Sequence, residues 1–333
     1  MARRLQRQSN EFDWRTLLRR IKAGKFTPII SYRVSDHHFD EQDHIVETWA
    51  GELGYPMPDQ ENLPKVAQFV TSTSPDALAA KEDYIEFLKE RLLNKARDAE
   101  GSDSAFLDTL EDELDELSFS DVASRLGYPH YDDPLENPLR ILAELPLPIY
   151  ITTNYATFME EALKGAGKKP RTEICYWNED IEGDVDSVFD EDPDYQPSEE
   201  EPLVFHVHGL DAFPASLVLT EDDYLDFLVS ISADPDLVPK RISQALVDSS
   251  LLLIGYQLHD WDFRTIFRGL ITSKRASRRM LSVSLQIDPE GTEGGNPKEI
   301  KNYFQKYFQN LNFEIYWGDP QSFMQDLWEQ WES

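Results

Sequence analysis

Short apolar runs alternate with helical segments along most of this chain, and that alternation limits the fold more than any other feature. Trp14, Leu17, Leu18 and Ile21 mark one face of a helix ending at Gly24, after which Phe26, Pro28, Ile29 and Ile30 read as a short buried strand. Pro148 to Thr152 and Leu203 to His208 read as strands, Leu251 to Ile254 as a fully buried one, and Leu281 to Ile287 and Phe313 to Trp317 as two more. Helices expected at Tyr155 to Lys164, Leu237 to Val247 and Phe323 to Trp331 separate or follow them. The pattern predicts an α/β protein with a doubly wound, mainly parallel sheet covered on both faces. From about residue 41 to 140 it turns helical and loop-rich, with segments around Ile45 to Leu53, Leu63 to Val70 and Asp83 to Ala96, which predicts an inserted helical layer.

The chain has 333 residues, of which 40% are hydrophobic, enough to bury one large core. No run approaches the roughly eighteen apolar residues of a membrane span, and the charged start is not followed by an apolar signal core, so a soluble, cytoplasmic protein is expected. The single cysteine, Cys175, excludes an intrachain disulfide and any four-cysteine zinc module. Lys and Arg total 32 against 63 for Asp and Glu, a formal net charge of -31, which disfavours direct binding to nucleic acid or anionic lipid. The charge is uneven: Asn178 to Glu201 holds twelve acidic residues and no basic one, while Arg3, Arg4, Arg7, Arg15, Arg19 and Arg20 make the start basic. The expected organisation is one domain over 14–330, with the insertion at 41–140 and an exposed, partly disordered acidic loop at 178–201, preceded by a basic arm at 1–13. The acidic loop also suits a docking strip for a basic partner.

In doubly wound sheets ligands bind just beyond the carboxyl ends of the strands, where Ser31, Asn154, His208 and Gly255 all fall. Thr152-Thr153-Asn154-Tyr155 sits at a strand-to-helix turn, where a Thr or Asn commonly caps the helix. His206 and His208 would share one face of a strand, as side chains alternate. They suit a metal pair poorly without a third ligand, and one of them suits a general base or ribose contact better. Gly255 permits either close approach of a ligand or a tight turn.

Taken together and in this order, these segments resemble the sirtuin superfamily, specifically its prokaryotic sirtuin-like branch of NAD+-consuming defence effectors. The matching blocks are Thr152-Thr153-Asn154-Tyr155 with Glu160-Glu161-Ala162-Leu163, Val207-His208-Gly209 with Ser216 to Thr220 and Asp223-Tyr224, and Ile254 to Asp260 with Asp262-Phe263-Arg264. The resemblance implies a Rossmann-like fold and NAD+ as substrate, hydrolysed to nicotinamide and ADP-ribose without a metal. It also implies work in anti-phage defence, as a homo-oligomer or with a partner protein. Asn154 corresponds to the residue that holds the nicotinamide ribose and positions water, and His208 to the base or ribose-hydroxyl partner. Ser31, Arg33, Ser35, Thr153, Gly255, Tyr256 and Asp260 fall where the nucleotide is contacted. Two departures stand out. Ser31-Tyr32-Arg33-Val34-Ser35 replaces a G-A-G-x-S phosphate loop, so Arg33 is the candidate substitute for backbone donors, and Ala156 replaces an acidic residue. They motivate an alternative, a non-catalytic assembly or nucleotide-sensing subunit. A protein deacylase is the weakest reading, because Cys175 alone cannot supply a four-cysteine zinc module.

Overall fold

A computed structural model describes residues 12–34, 42–74, 76, 78–99, 102–128, 137–181, 185–257, 261–272, 283–287, 296–308 and 313–333. Its centre is a seven-stranded sheet: β1 (Phe26–Ile30), β2 (Ile149–Thr152), β3 (Arg171–Ile174), β4 (Leu203–His206), β5 (Ser250–Ile254), β6 (Val283–Ile287) and β7 (Phe313–Trp317). The order is β3-β4-β2-β1-β5-β6-β7, and every pairing is parallel. The fold is therefore Rossmann-like and doubly wound, as the alternation predicts.

Parallel strands need crossovers, and helices cover both faces. α1 (Trp14–Lys22) precedes β1; its amide ends are served by Asp13, whose carboxylate accepts from the Thr16 N–H. Between β1 and β2 run α2 (Gln42–Leu53), α3 (Leu63–Thr73), α4 (Ala79–Asp98), α5 (Ser104–Asp112), α6 (Phe119–Arg125) and α7 (Pro138–Glu144). Next come α8 (Phe158–Gly165) after β2, and α9 (Val188–Glu191) between β3 and β4. The crossover from β4 to β5 carries α10 (Glu221–Ala233) and α11 (Lys240–Asp248). After β5 comes α12 (Trp261–Thr265), running into a π-helical turn at Ile266–Thr272, then α13 (Pro297–Phe308) and α14 (Pro320–Glu332).

Side chains alternate across the sheet and split the core in two. Ile30, Tyr150, Val204, Leu252 and Ile254 join the helices between β1 and β2 in one cluster. Ile29, Ile151, Phe205, Leu251 and Leu253 join α10 and α11 in the other. The helices between β1 and β2 thus share a core with the sheet.

Three expectations are corrected. The strand expected from Leu203 to His208 ends at His206, because Gly209 takes a positive φ of 87° and the chain turns away. The helix expected at Tyr155 begins at Phe158. The acidic tract is not a solvated loop throughout: Ile181, Val188 and Tyr195 are buried in the second cluster, and α9 forms within it. The basic arm through residue 11 lies outside the described residues.

Candidate functional site

The register brings four strand ends into line. Ile30 pairs with Thr152 and Ile254, and Thr152 with His206, so Ser31, Thr153, Val207 and Gly255 step off the sheet together. Backbone bonds extend the row, from Ser31 N–H to the Ile254 carbonyl, Thr153 N–H to Ile30 and Val207 N–H to Thr152. β1 is the switch point, since the chain leaves it for β2 on one side and later reaches β5 on the other. The crevice at that point is where this architecture receives ligands.

Asn154 follows β2. Its Oδ1 accepts the Ala156 N–H at 2.9 Å, an Asx turn that delays the helix to Phe158, so Asn154 does not cap α8 as the residue type alone suggests. Its carbonyl accepts from His206 Nδ1 at 2.8 Å, while His206 Nε2 donates to Glu160 Oε1, also at 2.8 Å. Both ring nitrogens face acceptors, so His206 is an imidazolium. Burial alone would lower its pKa, but the Glu160 charge and hydrogen bond, with the Asn154 carbonyl, hold it above the ordinary value. Burial likewise opposes ionisation of Glu160, and His206 with the Thr172 hydroxyl override it, keeping this carboxyl below its usual range. His206 pins the backbone of Asn154.

His208 lies two residues on, in a different environment. It is 1% exposed, with its ring edge-on to Tyr224 and Phe227 at centroid distances of 5.3 and 5.2 Å. Nε2 lies 3.3 Å from the Thr265 hydroxyl, and Nδ1 is buried without a hydrogen bond, 3.5 Å from Asp262 Oδ1. At that separation Asp262 does not offset the cost of burial, which pushes His208 down to about 3, so the ring is neutral. Asp262 in turn accepts the Tyr224 hydroxyl on Oδ1 at 2.5 Å and the Thr153 hydroxyl on Oδ2 at 3.0 Å. Burial raises it to about 6; those two hydrogen bonds and the Arg33 charge pull the other way.

The loop after β1 forms a 3-10 turn, Tyr32–Val34. Its amides are engaged within the protein: Ser31 N–H with Ile254, Arg33 N–H with Ser31 Oγ, Val34 N–H with the Ser31 carbonyl. Gly255 has φ 79°, and a Cβ there would lie 2.6 Å from Val34 Cγ2 and 3.3 Å from Ser31 Cβ. Its N–H donates to Gln286 Oε1 at 2.9 Å. Gly255 is required by the loop packed on it, and its amide is not presented to a phosphate. The Arg33 guanidinium stacks near the Tyr32 ring at 5.4 Å. The Tyr256 hydroxyl is buried beside Thr153 without a hydrogen bond of good geometry.

The structure therefore gathers Ser31, Arg33, Thr153, Asn154, His208, Gly255 and Tyr256 at one rim, while Ser35 and Asp260 lie outside the described residues. Sequence reasoning assigned no role to three residues found here. Glu160 and Asp262 stood only within matching blocks. Asp211, buried and pushed up to about 6 by burial, accepts the Ser120 N–H from α6 and ties that helix to the rim. Its place two residues after Gly209 was the available signal. Cys175 is buried and its thiol is raised to about 12, by burial first and then by the Glu173 charge, so it is no nucleophile at neutral pH. Among the described residues no group of three His, Cys, Asp or Glu could hold a metal, and no helix is long and apolar enough to cross a membrane.

No curated protein matches the chain. The family model of the SIR2-like domain matches residues 148–314, from β2 into β7, a span that takes in the Asn154 turn, both histidines, Gly255 and Asp262. With half of its length matched and the rim geometry in place, this chain belongs to the SIR2-like domain family, whose members are generally NAD-dependent enzymes.

Proposed function

We propose that this chain is an NAD+ glycohydrolase that releases nicotinamide and ADP-ribose at the rim around β1. The observation that carries the reading is the bridge across the crevice. Thr153, next to Asn154, and His208 both approach Asp262. Cleavage breaks the bond between ribose C1′ and the nicotinamide nitrogen, and the electron pair leaves with nicotinamide. The resulting oxocarbenium-like centre is met by water, whose oxygen bonds to C1′ and whose proton must go to a base. Asn154 orients the ribose and the water; His208, whose Nε2 faces the rotatable Thr265 hydroxyl at 3.3 Å, is the base. Arg33 supplies charge to the pyrophosphate where backbone donors are spent, and its planar fork suits that task. Turnover is gated by assembly with further copies or with a partner protein.

The spent amides and the 1% exposure of His208 favour a second reading, a nucleotide-sensing or assembly subunit that does not turn over. Nicotinamide release by the purified full chain separates the two. Asn154→Ala and His208→Ala are each expected to remain folded and to lose about 100-fold or more in rate. His206→Ala should lose stability before it loses chemistry. A folded, active His208→Ala beside a folded, inactive His206→Ala would reverse the assignment.

A further inference from the structure

Asp262 is one of the most deeply buried carboxylates at the rim, at 2% exposure, and the mechanism above gives it no chemical step. Tyr224 and Thr153 already donate to it, one hydroxyl per oxygen, so it acts as an acceptor. His208 Nδ1 is buried, faces Oδ1 at 3.5 Å and makes no hydrogen bond. A bare nitrogen there would set two lone pairs against each other, at the cost of an unpaired buried polar group. A proton on Nδ1 removes the conflict. Nε2 is then the bare nitrogen, facing the Thr265 hydroxyl at 3.3 Å. That hydroxyl has alternatives, because it also lies 3.0 Å from the carbonyls of Trp261 and Asp262, so it can rotate away and release Nε2. The rings of Tyr224 and Phe227 fix the plane of the imidazole, leaving its tautomer to be set by its neighbours.

We propose that Asp262 is the positioning residue for both working groups: it takes the Nδ1–H of His208 and the hydroxyl of Thr153, keeping Nε2 as the base nitrogen and Asn154 in register with it. The consequence for turnover rests on the NAD+-cleavage reading; the tautomer does not. The groups facing Asp262 are Tyr224 from α10, His208 after β4, Thr153 after β2, Tyr256 after β5 and Arg33 after β1.

The test uses the full-length protein labelled with 15N-histidine, the His208 resonances being assigned by their loss in His208→Gln. The expected result is a protonated Nδ1 and a bare Nε2 in the wild type, shifting toward the other tautomer in Asp262→Asn. A wild-type His208 protonated on Nε2 overturns the proposal, and this reading needs no variant to fold. In the same preparations Asp262→Asn is expected to lower kcat for nicotinamide release about 100-fold or more with KM little changed, the signature of a disturbed base rather than lost binding. It should also displace the acid limb of the pH–rate profile. A folded Asp262→Asn with wild-type kcat and an unmoved profile overturns the positioning role. A wild type with the expected tautomer and no nicotinamide release would sink the hydrolase reading and leave the Asp262 assignment standing.

Discussion

His206 is charged and His208 neutral, although only one residue separates them, and the difference comes from what each meets. His206 pairs with Glu160 on α8; His208 meets aromatic rings and a carboxylate that already accepts two hydroxyls. Removing one partner of a buried pair strands a charge, so Glu160→Gln is expected to lower stability by about 3–5 kcal/mol. The pH dependence has a sign. His206 is raised above 6.5, so its contribution is complete below that value and fades as pH climbs through the raised one; Glu160 is lowered below 4.5, so its contribution fades only in acid. Thermal midpoints of wild type and Glu160→Gln should therefore converge as pH rises past neutrality, and a gap that stays constant to pH 10 would contradict the imidazolium. Gly209 offers a second check. A Cβ there would lie 2.2 Å from the Ser216 carbonyl oxygen at φ 87°, so Gly209→Ala should cost about 2–4 kcal/mol in chemical denaturation. A loss under about 1 kcal/mol would mean the turn yields. Neither histidine's charge state was legible in the sequence, because Glu160 and Asp262 are distant in the chain and only the fold brings them together. The residue types and their order were enough to single out the pair.

No glycine stands in the loop after β1, Ser31 to Ser35. The Ser31 amide is spent on the Ile254 carbonyl, that of Arg33 on Ser31 Oγ and that of Val34 on the Ser31 carbonyl, so under the proposed function phosphate recognition falls to a side chain. Arg33→Ala is expected to weaken NAD+ binding about tenfold or more in calorimetric titration, since a charged hydrogen bond contributes roughly 1.5–3 kcal/mol. If Tyr32 and Arg33 instead block the crevice, the Ser31→Gly, Tyr32→Ala, Arg33→Gly variant will bind more tightly than wild type. Strands were legible where a run is apolar on both faces, as in β5. β3 was not, because an edge strand reading Arg-Thr-Glu-Ile is half polar and short. The helix after β2 was placed three residues early because an Asx turn at Asn154 looks, from residue type alone, like a cap.

At the level of the whole molecule, the core is continuous from the sheet into the helices between β1 and β2, and Asp211 fastens α6 to the rim, so a change in how those helices pack reaches the site directly. The assembly proposed above would have a physical route to the chemistry. Turnover per chain is expected to fall on dilution in step with loss of oligomer in light scattering, and a strict monomer with full, dilution-independent turnover would sink the gating. The sheet class was legible from alternation alone, whereas convergence at one crevice depended on register, which no local pattern carries. The most direct measurement of the central claim is product stoichiometry: full-length protein at assembly concentration, incubated with NAD+, with nicotinamide and ADP-ribose both quantified. Equal amounts of the two products are expected, lost in Asn154→Ala and His208→Ala. Intact NAD+, bound but uncleaved by wild type, would contradict it.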